Sequence, residues 1–99
     1  PILISDESRI HEVFAYFKLF NEKLSSRKLD FKITKIMENE IRSLTISLSS
    51  GINIQLGSKD VNNKITLFFE IYKSLNTRDL NKIRYIDMRY SNGFSVGWN

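Results

Sequence analysis

The sequence predicts an α/β (α+β) fold: one mixed, mainly antiparallel sheet with two helices packed on one face, in the order β-α-β-β-β-α-β-β. Three observations carry that expectation. Apolar residues recur at helical spacing from Ile10 to Leu24 and again from Val61 to Leu75. Elsewhere they alternate with polar residues over short stretches, which is the period of a half-buried strand. The polar members of those stretches are mostly Ser, Thr, Asn and Gln, so the sheet face away from the helices is expected to be solvated.

Ile2-Leu3-Ile4 suits a first strand. Ser5 or Asp6 is placed to cap the helix that follows, and Asp6 and Glu7 suit its positive N-terminal end. That helix is expected over Asp6–Leu24, with Ser25 and Ser26 ending it. Leu29, Phe31 and Ile33 alternate as a strand running toward Met37. Glu38 and Glu40 then fall in a polar connection and read as solvated. Leu44, Ile46 and Leu48 form one arm of a hairpin, and Ile52, Ile54 and Leu56 the other. A three-residue loop, Ser49-Ser50-Gly51, puts Gly51 where a left-handed backbone favours glycine. It sets Leu48 opposite Ile52, Ile46 opposite Ile54 and Leu44 opposite Leu56. A two-residue loop would oppose apolar to polar side chains. After Gly57, with Ser58 or Asp60 as cap, a second helix is expected over Val61–Leu75. Its broad apolar stripe indicates deep burial. Asn76 to Lys82 reads as a polar connection.

The final hairpin repeats the logic. With Ser91-Asn92-Gly93 as a three-residue loop and Gly93 at positive φ, Tyr90 faces Phe94, Met88 faces Val96 and Ile86 faces Trp98. Tyr85, Asp87, Arg89, Ser95 and Gly97 take the opposite face, where Asp87 and Arg89 are placed to pair. The last strand has nothing after it to cover its outer side, so it is expected at the sheet edge, which is either a liability or a docking site.

The 99 residues, 41% of them hydrophobic, are expected to form one domain, 1–99, with a single core. There is no cysteine, which excludes disulfides and thiolate chemistry. No apolar run approaches the roughly 18 residues of a membrane helix. The chain begins at Pro1 and is expected to be a piece of a longer protein. The net charge of +4 admits nucleic acid, an anionic membrane or an acidic protein as partner, although the Lys and Arg are scattered along the chain and never form a run. An enzyme finds little support. His11 is the only histidine and sits beside the apolar stripe of the first helix. No phosphate loop, metal-ligand cluster or nucleophile elbow is present. No catalytic, metal or cofactor-binding residue is therefore assigned. A nucleic-acid-binding module is the alternative, but the open face of the central strands lacks the aromatics that such sheets use.

Residues 85 to 98, Tyr-Ile-Asp-Met-Arg-Tyr-x-x-Gly-x-x-Val-x-Trp, resemble the C-terminus of the FtsQ/DivIB family of bacterial cell-division proteins. The hairpin Leu48–Gly57, the helix with Phe69 and Tyr72, and the opening Pro1-Ile-Leu-Ile are similar to the same family, so the resemblance covers the whole chain. It implies a periplasmic β-domain of a single-pass inner-membrane protein, with a POTRA domain and the membrane helix upstream. It further implies a non-enzymatic divisome scaffold, without cofactor, that binds FtsB and FtsL during septum formation. Carried over residue by residue, the partner-binding candidates are Tyr90, Gly93, Phe94, Ser95, Gly97 and Trp98. Some relatives have a basic residue aligned with Ile41; here Arg42 is the basic neighbour and is a further partner-binding candidate, although strand alternation is expected to point the two to opposite faces.

Overall fold

Strand β1 (Ile2–Ile4) runs parallel to β2 (Ile33–Glu38), and helix α1 (Ile10–Ser26) makes the crossover between them. Antiparallel pairing then links β2 to β3 (Leu44–Leu48) and β3 to β4 (Asn53–Gly57). Helix α2 (Val61–Ser74) and the one-turn helix α3 (Thr77–Leu80) carry the chain to β5 (Ile83–Asp87), parallel to β4. Strand β6 (Ser95–Trp98) returns antiparallel to β5. These elements come from a computed structural model that describes residues 1–75, 77–91 and 93–98. The spatial order is β1-β2-β3-β4-β5-β6, so each strand lies beside its neighbour in sequence. Three of the five pairings are antiparallel, as the predicted mixed sheet requires.

The register lines up one aliphatic row across all six strands: Leu3, Ile36, Ile46, Ile54, Ile86 and Val96. The four inner isoleucines are fully buried, and the row is the floor on which both helices sit. Above it Phe20 of α1 meets Phe68 and Phe69 of α2, with ring centroids 5.4 and 4.8 Å apart. Tilted and edge-on contacts of this kind add a modest term to the area that the rings bury. Two further rows cross the open face. Ile2, Lys35, Ser47, Asn53, Tyr85 and Gly97 form one; Ile4, Met37, Thr45, Gln55, Asp87 and Ser95 form the other. The middle of both rows is polar, as the sequence predicts.

At the start of α1, Asp6 Oδ1 accepts hydrogen bonds from the N–H and hydroxyl of Ser8 and caps a 3-10 turn over Glu7–Arg9. The α-helix proper begins at Ile10 and includes Ser25 and Ser26, two residues beyond the expected Leu24. Asp60 precedes α2 as expected, but its side chain makes no cap; its backbone is left-handed. Outside the hairpins, three expectations need correction. Leu29 and Phe31 precede β2 rather than belong to it. The stretch Asn76 to Lys82 contains α3; Asn76 itself lies outside the described residues. Glu38 is not solvated: it is 5% exposed and grips Arg9, with Arg9 Nε 2.9 Å from Oε1 and Nη2 3.2 Å from Oε2. A buried carboxylate needs such a partner, and the pair pins the start of α1 to the end of β2.

The two hairpins also part company. In the first, the Leu48 N–H donates to the Ile52 carbonyl across the predicted three-residue loop, and Gly51 has φ 96°. Ile46 faces Ile54 as expected, but a bulge sets Leu44 against Gly57, not Leu56. In the second, Ile86 faces Val96, Asp87 faces Ser95 and Ile83 faces Trp98. The connection therefore runs from Met88 to Phe94 instead of three residues. The shift is even, so the paired side chains from Tyr85 to Asp87 and from Ser95 to Gly97 keep their predicted faces. The cause is Asp87. Its Oδ1 accepts from the Arg89 N–H at 3.1 Å, an Asx-type turn that ends β5, while the Met88 N–H donates to the Gln55 carbonyl of β4. Gly93 has a positive φ, but at 159° it is nearly extended and makes no left-handed turn. Asn92 of the predicted loop lies outside the described residues.

Candidate partner-binding edge

β6 ends the strand order and pairs with β5 alone, so its outer backbone edge faces away from the sheet. In an antiparallel edge strand, alternate residues direct both N–H and C=O outward. Those groups are a template for a further strand. Large side chains left exposed surround this edge: Tyr90, Trp98, Phe94 and Tyr85 are 55, 53, 45 and 42% exposed. Such a cluster on one rim is unlike the single apolar residues scattered over any protein surface.

The candidates differ in where the fold places them. Ser95 and Gly97 lie on the open face of β6, opposite Asp87 and Tyr85. Val96 between them points to the core, and Trp98 follows on that side, beyond the cover of the helices. Gly97 has a reason that the sequence did not suggest. The Tyr85 ring lies flat over it, and a Cβ would be driven into the ring. Glycine there accommodates a cross-strand aromatic from β5, not in the first place an incoming backbone. Phe94, Gly93 and Tyr90 belong to the connection before β6. Tyr90, Gly93, Met88 and Arg89 face Lys64 and Leu67 of α2 across a cleft of about 380 Å³.

Arg89 and Asp87 fix the root of that connection. Arg89 Nε and Nη2 lie 2.9 and 2.7 Å from the two carboxylate oxygens. The hydrogen bonds from Arg89, chiefly those of its side chain, hold the Asp87 carboxyl below its ordinary pKa; the same pairing raises that of Arg89. The bidentate contact spends Arg89's donors inward. The sequence shows the pair but not this use of it, because an i,i+2 pair on a strand reads as ordinary surface charge.

Arg42 stands apart from the other candidates. It closes a β-turn between β2 and β3, its N–H donating to the Asn39 carbonyl at 2.9 Å, with φ 62°. Ile41 and Arg42 thus lie in a turn rather than a strand, and the alternation expected of them does not apply. Ile41 is 77% exposed. The Asp6 pKa is lowered chiefly by the hydrogen bonds from Ser8, with a small contribution from the charge of Arg42 across the mouth of β1 and β2. At about 4.8 Å per strand, the β3 end is about 14 Å from β6. The structure gathers the other six candidates along one rim and leaves Arg42 off it. His11 is exposed on α1. Among the described residues no three His, Cys, Asp or Glu side chains converge to hold a metal ion.

Residues 1–89 match the family described as "Cell division protein FtsQ/DivIB, C-terminal". The chain is similar to Cell division protein FtsQ of Vibrio cholerae, with 32% identity over 88% of this chain and 32% of that protein. It is also similar to Cell division protein FtsQ of Escherichia coli, 28% identical over 99% of the chain and 36% of the relative. To Cell division protein FtsQ of Neisseria gonorrhoeae it is 27% identical over 97% of the chain and 39% of the relative. The chain thus spans about a third of the length of these relatives.

Proposed function

Because the chain belongs to the FtsQ/DivIB family of cell-division proteins, we propose that residues 1–99 are the C-terminal β-domain of a non-enzymatic division scaffold. In this reading the domain sits in the periplasm. The parent protein carries a POTRA domain and a single inner-membrane helix upstream. FtsB- and FtsL-like division proteins bind it during septum assembly, by adding a strand to β6. The observation that carries the reading is an outer β6 edge flanked on its rim by Tyr90, Phe94 and Trp98.

Main-chain bonds to the edge supply generic affinity, and the flanking side chains supply selectivity. Tyr and Trp are the types most often found as interface anchors. The test is binding of an FtsB-like periplasmic segment to variants shown to fold by circular dichroism and a thermal melt. Tyr90→Ala should weaken binding by about 2 kcal/mol or more if it is such an anchor. Of Ser95 and Val96, one directs its N–H outward; proline at that position should remove a donor and block the added strand. Unchanged affinity in both folded variants would move the docking surface elsewhere, for example to the polar sheet face around Thr45 and Gln55. Binding should persist at physiological salt, which separates it from nonspecific attraction to nucleic acid.

A further inference from the structure

The excess positive charge looks scattered along the sequence and is gathered by the fold. Eight of the fifteen basic residues fall in 23–32 and 73–84, with Asp30 and Asp79 the acidic residues there. Those two segments are the ends of α1 and α2, the lead into β2, α3 and the start of β5. The strand directions bring all of them to one end of the molecule. Eight against two gives that end +6, and the remaining seven against nine give −2, which together make the net +4. The ion pairs Arg9–Glu38 and Arg89–Asp87 both lie at the opposite end.

Within the basic end is an open groove of about 680 Å³ between the last turns of α1 and α2 and α3. Leu29, Phe69, Tyr72 and Leu80 line it, Arg27 and Lys73 stand on its rim, and Glu70 is the one carboxylate beside them, so the lining itself carries two cations against one anion. The Arg27 guanidinium lies over the Phe69 ring, 5.0 Å from its centroid, so one cation is already held above the apolar floor. Phe31 packs on Tyr72 from below, with centroids 5.1 Å apart. Burial raises the pKa of the Tyr72 hydroxyl above its ordinary value.

We propose that this groove docks an acidic peptide segment of a partner protein, with one bulky apolar side chain on the floor and carboxylates against the basic rim. Charge complementarity selects the acidic flanks, because the surrounding segments carry +6. The apolar floor selects an anchor that a phosphate backbone lacks, and the concave shape suits a peptide better than a bilayer surface. No residue of β6 lines the groove, so a partner here and a strand on the outer edge of β6 use different residues.

The test is an amide NMR titration of the isotope-labelled protein with two synthetic decapeptides. Both carry a central Leu-Phe, one with Glu flanks and one with Lys flanks. The Glu peptide should shift the signals of Leu29, Tyr72, Leu75 and Leu80 and leave Ser95–Trp98 unmoved. The double variant Arg27→Glu/Lys73→Glu changes exposed side chains and should keep a native spectrum while weakening binding about tenfold or more. Raising the salt should weaken the wild-type interaction, and an all-Glu peptide should bind less well because it lacks the anchor. Equal binding of the Lys peptide, shifts centred on β6, or indifference to the charge reversal would overturn the proposal. So would preference of the groove for an oligonucleotide or for phosphatidylglycerol vesicles over the Glu peptide.

Discussion

The two hairpins carry nearly the same loop letters, Ser49-Ser50-Gly51 and Ser91-Asn92-Gly93, and close differently. The first is bounded by Leu48 and Ile52, both buried, so the core itself draws the arms together up to the loop. The second would have to close between Tyr90 and Phe94, both about half exposed. Little apolar area is gained by pairing them, and Asp87 offers the backbone an alternative turn three residues earlier. A loop motif thus decides register only where buried pairs on both sides agree with it. At the rim a single carboxylate outweighs the motif, and the freed connection becomes the place where Tyr90 and Phe94 are displayed.

This contrast can be broken or sharpened by substitution. The largest difference should appear within the aliphatic row. Ile54→Ala, in the first hairpin, removes a fully buried side chain and should cost about 2–5 kcal/mol in urea unfolding. Val96→Ala, in the second, loses fewer atoms from a half-buried site and should cost clearly less. Equal losses would mean that the edge hairpin is packed as tightly as the central one.

Next comes Gly97. Gly97→Val forces a side chain into the Tyr85 ring and should cost about 1–3 kcal/mol, the range for overpacking. Tyr85→Ala should relieve much of that, so the double variant should be more stable than the sum of the single effects. Additive losses would show that the ring does not depend on the glycine.

Asp87→Asn keeps the shape and removes the charge that receives Arg89. It should cost about 1–3 kcal/mol. The pH dependence has a definite sign. The folded Asp87 carboxyl has a lowered pKa, so its contribution is complete above the ordinary carboxylate value of about 3.9 and fades as the pH falls through the lower folded value. Thermal melts across the acid range should therefore fall less steeply in Asp87→Asn than in the wild type. A parallel fall would remove Asp87 from the acid response.

The smallest effect separates the two loop glycines. Gly51→Ala meets no neighbour but forces alanine to φ 96°, and should cost about 1 kcal/mol. Gly93→Ala, at a φ of 159°, should cost less. The reverse order would restore the symmetry of the two loops.

The sequence made the helices and the inner strands legible, because burial imposes a period. Ile46, Ile54 and Ile86 alternate, and the stripe from Val61 to Leu75 shows α2. What it hid depends on a few local polar groups. Asp87 could end a strand or merely pair with Arg89. Glu38 could be solvated or clamped, and its partner Arg9 is 29 residues away. The rim was legible as an edge and as a set of aromatics, whereas the stacking of Tyr85 on Gly97 required the cross-strand register. Charge was least legible. Lys and Arg that are separate in the chain come together only when two crossovers deliver their ends to the same place.

The aliphatic row from Leu3 to Val96 has a consequence for anything laid against β6. The row makes recognition at that edge a matter of parity. A strand that arrives one residue out of step would turn its apolar side to the polar open face and its polar side to the helices. A strand that slips by two keeps its faces and loses only a fraction of its pairing. Errors of one are therefore costlier than errors of two. Fine alignment along β6 then rests on features that do not repeat every second residue: Gly97 under the Tyr85 ring, the indole of Trp98 and the projecting connection at Tyr90.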